Sequence, residues 1–389
     1  MPKSAGERLR FTFLRLQNWR NFTQVECPLA GRAFLVGPNA SGKSNLLDVF
    51  RFLRDLVSVG GGLQSAVARR GGISRLRCLA ARRPPEIHIY VQVGSEERPN
   101  QWEYELWFDQ RDRKDPRPYI LKERVVFESQ ELLARPNLED NADPERLTQT
   151  HLEQVYVNQS VRPLAEFFAT VQYLHLVPQI IREPDRAVGK VQDPFGGDFL
   201  ERIAATGEKL RRSRLRSIRK ALQIAVPQLQ ELELWRDGKG VPHLRGKYEH
   251  WRPRGAWQTE EQFSDGTLRL LGLLWIMLEG QGPLLLEEPE LSLHPGVVRY
   301  IPQMFARMQS RTGRQILLST HSTEILRDSG IGLDEVVLFI PTKEGTKVQL
   351  TSQRVNILRL LEGGLDLADA VFPQTAPANL HQLSFWEET

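Results

Sequence analysis

Cysteine is nearly missing: Cys27 and Cys78 are the only two in 389 residues. That excludes a disulfide framework and any cysteine-rich metal site. Long apolar runs are missing too. None approaches the roughly 20 residues that a membrane-spanning helix requires. The opening "MPKSAGERLRFTF" lacks the apolar stretch of a secretory signal, so the expectation is a cytoplasmic protein with no membrane partner. There is no internal repeat, no low-complexity segment and no sustained heptad pattern, which argues against a long coiled coil. Neither sign of charge dominates. The formal net charge of +4 is only mildly basic and says little by itself about nucleic acid.

What is present is ordinary for a soluble globular chain: 40% hydrophobic and 26% charged residues. The length suffices for a large core with two or three sub-structures. Residues 11–16, 23–29 and 32–37 read as strands, and residues 43–57 carry Leu46, Leu47, Phe50, Leu53 and Leu56 at helical spacing. Residues 86–93, 101–108 and 119–127 alternate apolar and polar, which predicts an antiparallel meander. The polar stretch 134–147 reads as an exposed loop, 151–230 as mostly helical, and 229–251 as a hairpin around "RDGKG". The last third alternates helices at 265–280 and 295–313 with buried strands at 283–288 and 315–322, the pattern of a parallel sheet.

Residues 37–44, "GPNASGKS", fit the pattern G-x-x-x-x-G-K-[ST] between a strand and a helix. Gly37 and Gly42 allow the tight curl, and the N–H groups of Pro38-flanked residues Asn39, Ala40 and Ser41 can line an anion nest. The start of the following helix adds positive character near Lys43 and Asn45. Lys43 is expected to reach the β- and γ-phosphates of ATP, and Ser44 to ligate Mg²⁺.

A second signal lies at residues 283–295, "PLLLEEPELSLHP". A buried strand ending in Glu287 and Glu288 is costly unless a cation or a reacting water meets the carboxylates. Glu287 is the candidate metal ligand, and Glu288 the group that readies the attacking water. An acidic turn closing a core strand is the bland alternative. His321, at the end of "LLSTHS", is a candidate for contact with the γ-phosphate. Pro295 is explained by a helix start alone, and Glu290 and His294 by the loop that leads to it.

Taken together these motifs resemble an ABC-class ATPase head of the RecF/SMC/OLD-like group. More narrowly they resemble the stand-alone AAA family ATPases of the AAA_21/AAA_15 type. "LRLQNWRNF" is similar to that group's N-terminal strand and turn, "GPNASGKSN" to its Walker A, and "FSDGTLRLL" to its signature motif. "LLLEEPELSLHP" is similar to its Walker B and D-loop, and "LLSTHS" to its switch histidine. The resemblance covers about residues 10–95 and 255–345 and is looser between. It implies an α/β P-loop NTPase fold: a mainly parallel core sheet, an antiparallel β subdomain and an inserted helical lobe. The expected divisions are 1–127, 128–255 and 256–389.

The resemblance also implies roles. Ser264 and Gly266 of one subunit would cap the γ-phosphate bound by another, giving an ATP-sandwiched homodimer or higher oligomer. Arg20 would lie near the nucleotide. The glutamine of the Q-loop is either Gln159 or Gln179. The metal position more often carries Asp in the wider class, and here it is Glu287. OLD-like nucleases add a Toprim domain, for which the residues after 345 are too few, so the expectation is an ATPase that does not itself cut nucleic acid. A protein effector is the expected partner, with DNA as a second, in a repair or anti-phage defence setting. The helix 208–222, "EKLRRSRLRSIRKAL", offers cations to phosphates but reads first as a solvated face with a stripe of Leu210, Ile218 and Leu222. The alternative function is a nucleotide-stabilised scaffold that restrains a nuclease or toxin with little turnover.

Overall fold

The computed structural model describes residues 8–81, 85–111, 115–183, 193–250 and 256–376. Two compact units result. Among these residues, the first unit holds those up to Gln172, Gln281–Leu285 and those from Phe305 on; the second holds those of Tyr173–Gly280 and Leu286–Met304.

The first unit opens with an antiparallel pair, β1 (Arg10–Trp19) and β2 (Phe22–Pro28), and then β3 (Arg32–Val36), which belongs to another sheet. Strands β4 (Ile87–Gly94), β5 (Trp102–Gln110), β6 (Pro118–Phe127) and β7 (Gln130–Arg135) complete the antiparallel sheet, in the order β2-β1-β4-β5-β6-β7. The period-2 pattern is realised plainly in β5, where Trp102, Tyr104, Leu106 and Phe108 are buried and their neighbours face out. Those apolar faces meet the helix Lys43–Val57. Phe52 stacks on Phe108 at 5.6 Å between ring centroids, and Phe50 meets Phe11 at 4.6 Å. Aromatic packing of this kind adds about 1 kcal/mol per pair beyond area burial, so the helix behind the 37–44 loop is anchored along its length.

Residues 134–147 are mostly exposed, as expected, but they are not a plain loop, and Arg135, Asp140 and Leu147 are buried. Asn137 and Asp140 form a capping box that starts the short helix Leu138–Ala142. Arg135, buried, ion-pairs with Glu123 at 3.0 Å and with Asp140 at 2.8 Å. The polar composition conceals a buried charge network because each charge there has a partner.

Four strands follow before the second strong motif: β8 (Gln172–Leu174), then β9 (Leu229–Arg236), β10 (Pro242–Tyr248) and β11 (Ala256–Thr259). The last three form an antiparallel sheet in the second unit, ordered β11-β10-β9. They are followed by β12 (Leu284–Glu287), β13 (Ile316–Thr320), β14 (Val336–Thr342) and β15 (Gly345–Leu350). The core sheet runs β15-β14-β3-β13-β12-β8. β3 pairs in parallel with β13, Ile316 opposite Arg32 through Thr320 opposite Val36, and also with β14. Only the β14–β15 hairpin at the edge is antiparallel among these pairings. β13 is buried at all five residues, as expected for a strand covered on both faces. β8 lies where the sequence reads as helical; it is three residues long and is held by the Gln172 N–H to the Pro283 carbonyl at 2.9 Å.

In the second unit the helix Glu208–Ala225 buries Leu215, Ile218 and Leu222, while Leu210 is 51% exposed. The expected stripe is therefore right at Ile218 and Leu222, and Leu215 rather than Leu210 continues it. The expected helix at 295–313 is two helices, Pro295–Val298 and Ile301–Thr312. Pro302 has no N–H to donate and sits in the first turn of the second, where none is required. Among the described residues no helix is long and apolar enough to cross a membrane.

Candidate active site

The loop 37–44 leaves β3 and enters the helix Lys43–Val57. Gly42 is the helix N-cap at φ 98°, a left-handed conformation that favours glycine, and it offers no side chain to cap the helix. Ala40 is also left-handed, at φ 59°. A Cβ on Gly37 would stand 2.7 Å from Cβ of Phe339 and 2.8 Å from Oγ of Ser41, so that position takes no larger residue without movement. Asn39, Ala40 and Ser44 are exposed; Ser41, Gly42 and Lys43 are buried.

Lys43 points back across the loop. Its amine donates to the carbonyls of Gly37 at 3.0 Å and Pro38 at 3.1 Å, and lies 2.9 Å from Nε2 of His321. His321 follows the last residue of β13, which is hydrogen-bonded in register with the end of β3. The parallel pairing is therefore what brings the histidine to the lysine, 278 residues apart in the chain.

Arg20, in the turn between β1 and β2, has φ 54° and reaches Oδ2 of Asp48 at 3.4 Å. Asp48 lies one helical turn beyond Ser44 and also pairs with Arg70 at 2.9 Å and Arg51 at 3.8 Å. Burial pushes the Asp48 carboxyl up, but the Arg70, Arg51 and Arg20 guanidiniums outweigh it and hold the group below the ordinary aspartate range. Arg20 is thus fixed by the same helix that carries Ser44.

The second unit assembles the other motifs. Glu287 ends β12, and its carboxylate accepts a hydrogen bond from the Tyr173 hydroxyl. Glu288 follows with a left-handed backbone at φ 44°, a strained turn directly after the strand. Ser264 caps the helix Asp265–Leu278, accepting from the Thr267 N–H at 3.2 Å, so the plain capping role is filled. Gly266 packs against the D-loop, since a Cβ there would stand 2.6 Å from the Ser292 carbonyl. Asp265 pairs with Arg182 at 2.6 Å and accepts from Gln179 at 3.2 Å. Of the two candidate glutamines, Gln179 therefore lies beside the signature motif, while Gln159 lies in the first unit and is exposed. Burial lowers the Arg269 guanidinium, opposed by the charges of Asp265, Glu288 and Glu290. His294 accepts from the Gly296 N–H at 3.0 Å and so serves as a helix cap.

Two residues with direct bearing on these motifs are invisible to motif reading. Tyr173 sits in a segment that reads as helical. Asn21 is a polar residue in a turn, and its side chain meets Ser41, Asn45 and Thr346. Only a polar residue at a tight turn signals it, which is a weak cue.

The donor set of the first unit fits a polyphosphate. A helix of 15 residues starts without a side-chain cap, so its first N–H groups are available to an anion. Lys43 adds a cation at the same point. Among the described residues no group of three or more His, Cys, Asp or Glu is arranged to hold a metal unaided. Mg²⁺ takes much of its shell from phosphate and water and needs only one or two protein oxygens.

A family model described as "AAA domain, putative AbiEii toxin, Type IV TA system" matches residues 32–327. Among solved structures, the Smc head domain with an extended coiled coil bound to the C-terminal domain of ScpA, derived from Pyrococcus furiosus, aligns at a TM-score of 0.52 and 11% identity. The alignment covers 91% of this chain and 100% of that one. The SmcHead bound to the C-winged helix domain of ScpA aligns at a TM-score of 0.51 and 14% identity, over 87% of this chain and 96% of that one. At such identities the likeness establishes the fold alone, the α/β P-loop fold of these head domains. No curated protein sequence matches the chain.

Proposed function

Because the chain belongs to this AAA-domain family of ATPases, we propose that it is an ATP-hydrolysing switch that dimerises on ATP and passes that state to a partner. The observation that carries the reading is the loop before the helix Lys43–Val57: an uncapped helix start, a left-handed Gly42, and the Lys43 amine held beside His321.

Lys43 exchanges its loop carbonyls for the β- and γ-phosphates, and the N–H groups of residues 39–45 hold the remaining oxygens. Ser44 and Glu287 would be the protein oxygens that hold Mg²⁺, which would supply charge neutralisation at the phosphates; the Tyr173 hydroxyl donates to Glu287. Glu288 accepts a proton from the attacking water as the bond to the leaving ADP breaks. His321 donates toward the γ-phosphate as charge grows there. Ser264 and Gly266 of a second copy cap the same phosphate, using the start of the helix Asp265–Leu278.

A protein effector is the favoured partner. The two similar Smc heads are described in complex with segments of ScpA, which supports partner binding by heads of this fold. DNA is a second partner, with Lys209, Arg212, Arg216 and Lys220 exposed on the helix Glu208–Ala225.

Glu288→Gln protein tests the reading. It should retain ATP, lose phosphate release, and elute as a dimer with ATP but not with ADP. Ordinary phosphate release from that variant would remove Glu288 from its role. Wild-type protein that binds ATP, holds its partner and shows no turnover would instead favour the scaffold reading.

A further inference from the structure

We propose that Asn21 is a positioning residue for the bound triphosphate, its amide setting the shape of the 37–44 loop and tying it to the β14–β15 hairpin; this rests on the nucleotide-binding reading above. Two segments remote from it in sequence, residues 41–45 and the hairpin at Thr346, converge on that one side chain. Nδ2 donates to the Ser41 carbonyl at 2.9 Å and to Oγ1 of Thr346 at 2.9 Å. Oδ1 accepts from Nδ2 of Asn45 at 2.8 Å. Both N–H bonds and the carbonyl of the amide are therefore engaged. The Asn21 backbone adds a fourth bond, its carbonyl accepting from the Thr346 N–H at 2.9 Å.

The grip on Ser41 matters most. A trans peptide is planar, so the N–H of Gly42 points opposite to the carbonyl of Ser41. Holding that carbonyl on the Asn21 side turns the Gly42 N–H to the other side, where an anion nest needs it. Asn45 lies in the first turn of the helix, and its own carbonyl accepts from the Trp19 indole at 3.0 Å. The turn between β1 and β2 thus holds the loop on one side of Gly42 and the helix on the other.

Glycine at 42 answers to the same contact. A Cβ there would stand 2.2 Å from Nδ2 of Asn21. At the hairpin a Cβ on Gly345, at φ 115°, would stand 2.6 Å from the Asn21 carbonyl. Both glycines admit Asn21 at close range.

The test is calorimetric titration of the full chain with Mg-ATP, alongside steady-state turnover and thermal melting without nucleotide. Asn21→Asp is nearly isosteric; it still accepts from Asn45 but cannot donate to Ser41, and it sets a negative charge beside the loop. Asn21→Ala removes all three side-chain bonds. Each should weaken ATP binding about tenfold or more, the value of a lost hydrogen bond, with KM rising and kcat falling less. The Asn21→Asp melt should stay close to wild type. An Asn21→Asp protein that melts like wild type and binds Mg-ATP equally well, while Lys43→Ala does not bind, would overturn the role of Asn21 and leave the ATPase reading intact. Wild-type protein that binds no Mg-ATP would sink both.

Discussion

The Lys43 amine stands 2.9 Å from Nε2 of His321. An ammonium group can only donate, so in this pairing Nε2 is the acceptor. The lysine also donates to the Gly37 and Pro38 carbonyls. Engaging a phosphate means exchanging at least one of these acceptors.

His321→Ala removes one partner of Lys43 without touching the loop. ATP affinity should hold or improve. Turnover should fall about a hundredfold, the usual effect of losing one group that stabilises charge in the transition state. Titration with Mg-ATP and single-turnover rates separate the two effects, and an unchanged rate would remove His321 from the chemistry.

Gly266→Ala should damage the protein for a reason that lies within one unit. The added Cβ would meet the Ser292 carbonyl at 2.6 Å, and Ser292 is already left-handed at φ 61°. Overpacking against backbone costs roughly 1–3 kcal/mol, and the start of the helix Asp265–Leu278 must shift to relieve it. A lower Tm together with reduced turnover is expected. Gly207→Ala is the contrast. Nothing lies within 4 Å of its Cβ position, so its Tm should match wild type.

Asp48 should give the molecule an acid limb. Its folded pKa lies below the ordinary value of 3.8 because the neighbouring guanidiniums outweigh burial. Its contribution to stability is therefore complete above the unfolded value and is lost as pH falls through the lower folded one. Asp48→Asn should flatten the stability profile below about pH 4. At neutral pH it should cost about 3 kcal/mol, because Arg70 loses Asp48 and, among the described residues, keeps Asp55 as its ion-pair partner. Urea melts from pH 3 to pH 7 check both halves. A variant as stable as wild type at pH 7, with the same acid limb, would contradict the account.

The parts that were legible in the sequence share one property: their cause is local. The turn at Gly42, the helix behind Lys43 and the apolar run ending at Glu287 are each written within a dozen neighbouring residues. The alternation in β5 is equally local. What escaped depends on distance. Asn21 acts through Ser41, 20 residues away, and through Thr346, 325 residues away, and Tyr173 acts through Glu287, 114 residues away. No window in the sequence contains both partners. Within the mostly exposed residues 134–147, Arg135 and Asp140 misled for another reason. Polarity ordinarily marks exposure, but Arg135, Glu123 and Asp140 satisfy one another and so can be buried together.

That buried set yields the last expectation. Glu123 is fully buried and accepts from Arg135 at 3.0 Å, from the His151 N–H at 2.8 Å and from the Tyr104 hydroxyl at 3.2 Å. Burial raises its carboxyl above the ordinary range despite these donors. A carboxyl raised in the fold loses stability as pH rises from its unfolded value through its folded one. Arg135→Met should enlarge that loss by removing the compensating cation from Glu123 and from Asp140. The cost at neutral pH should be about 3–5 kcal/mol, and it should shrink as pH falls and Glu123 takes up a proton. Adding Glu123→Gln to Arg135→Met should recover part of the loss at pH 7.5 and little at pH 5. Urea denaturation at those two pH values decides it. If the single variant loses the same stability at both, the ionisation of Glu123 does not govern how this segment is held.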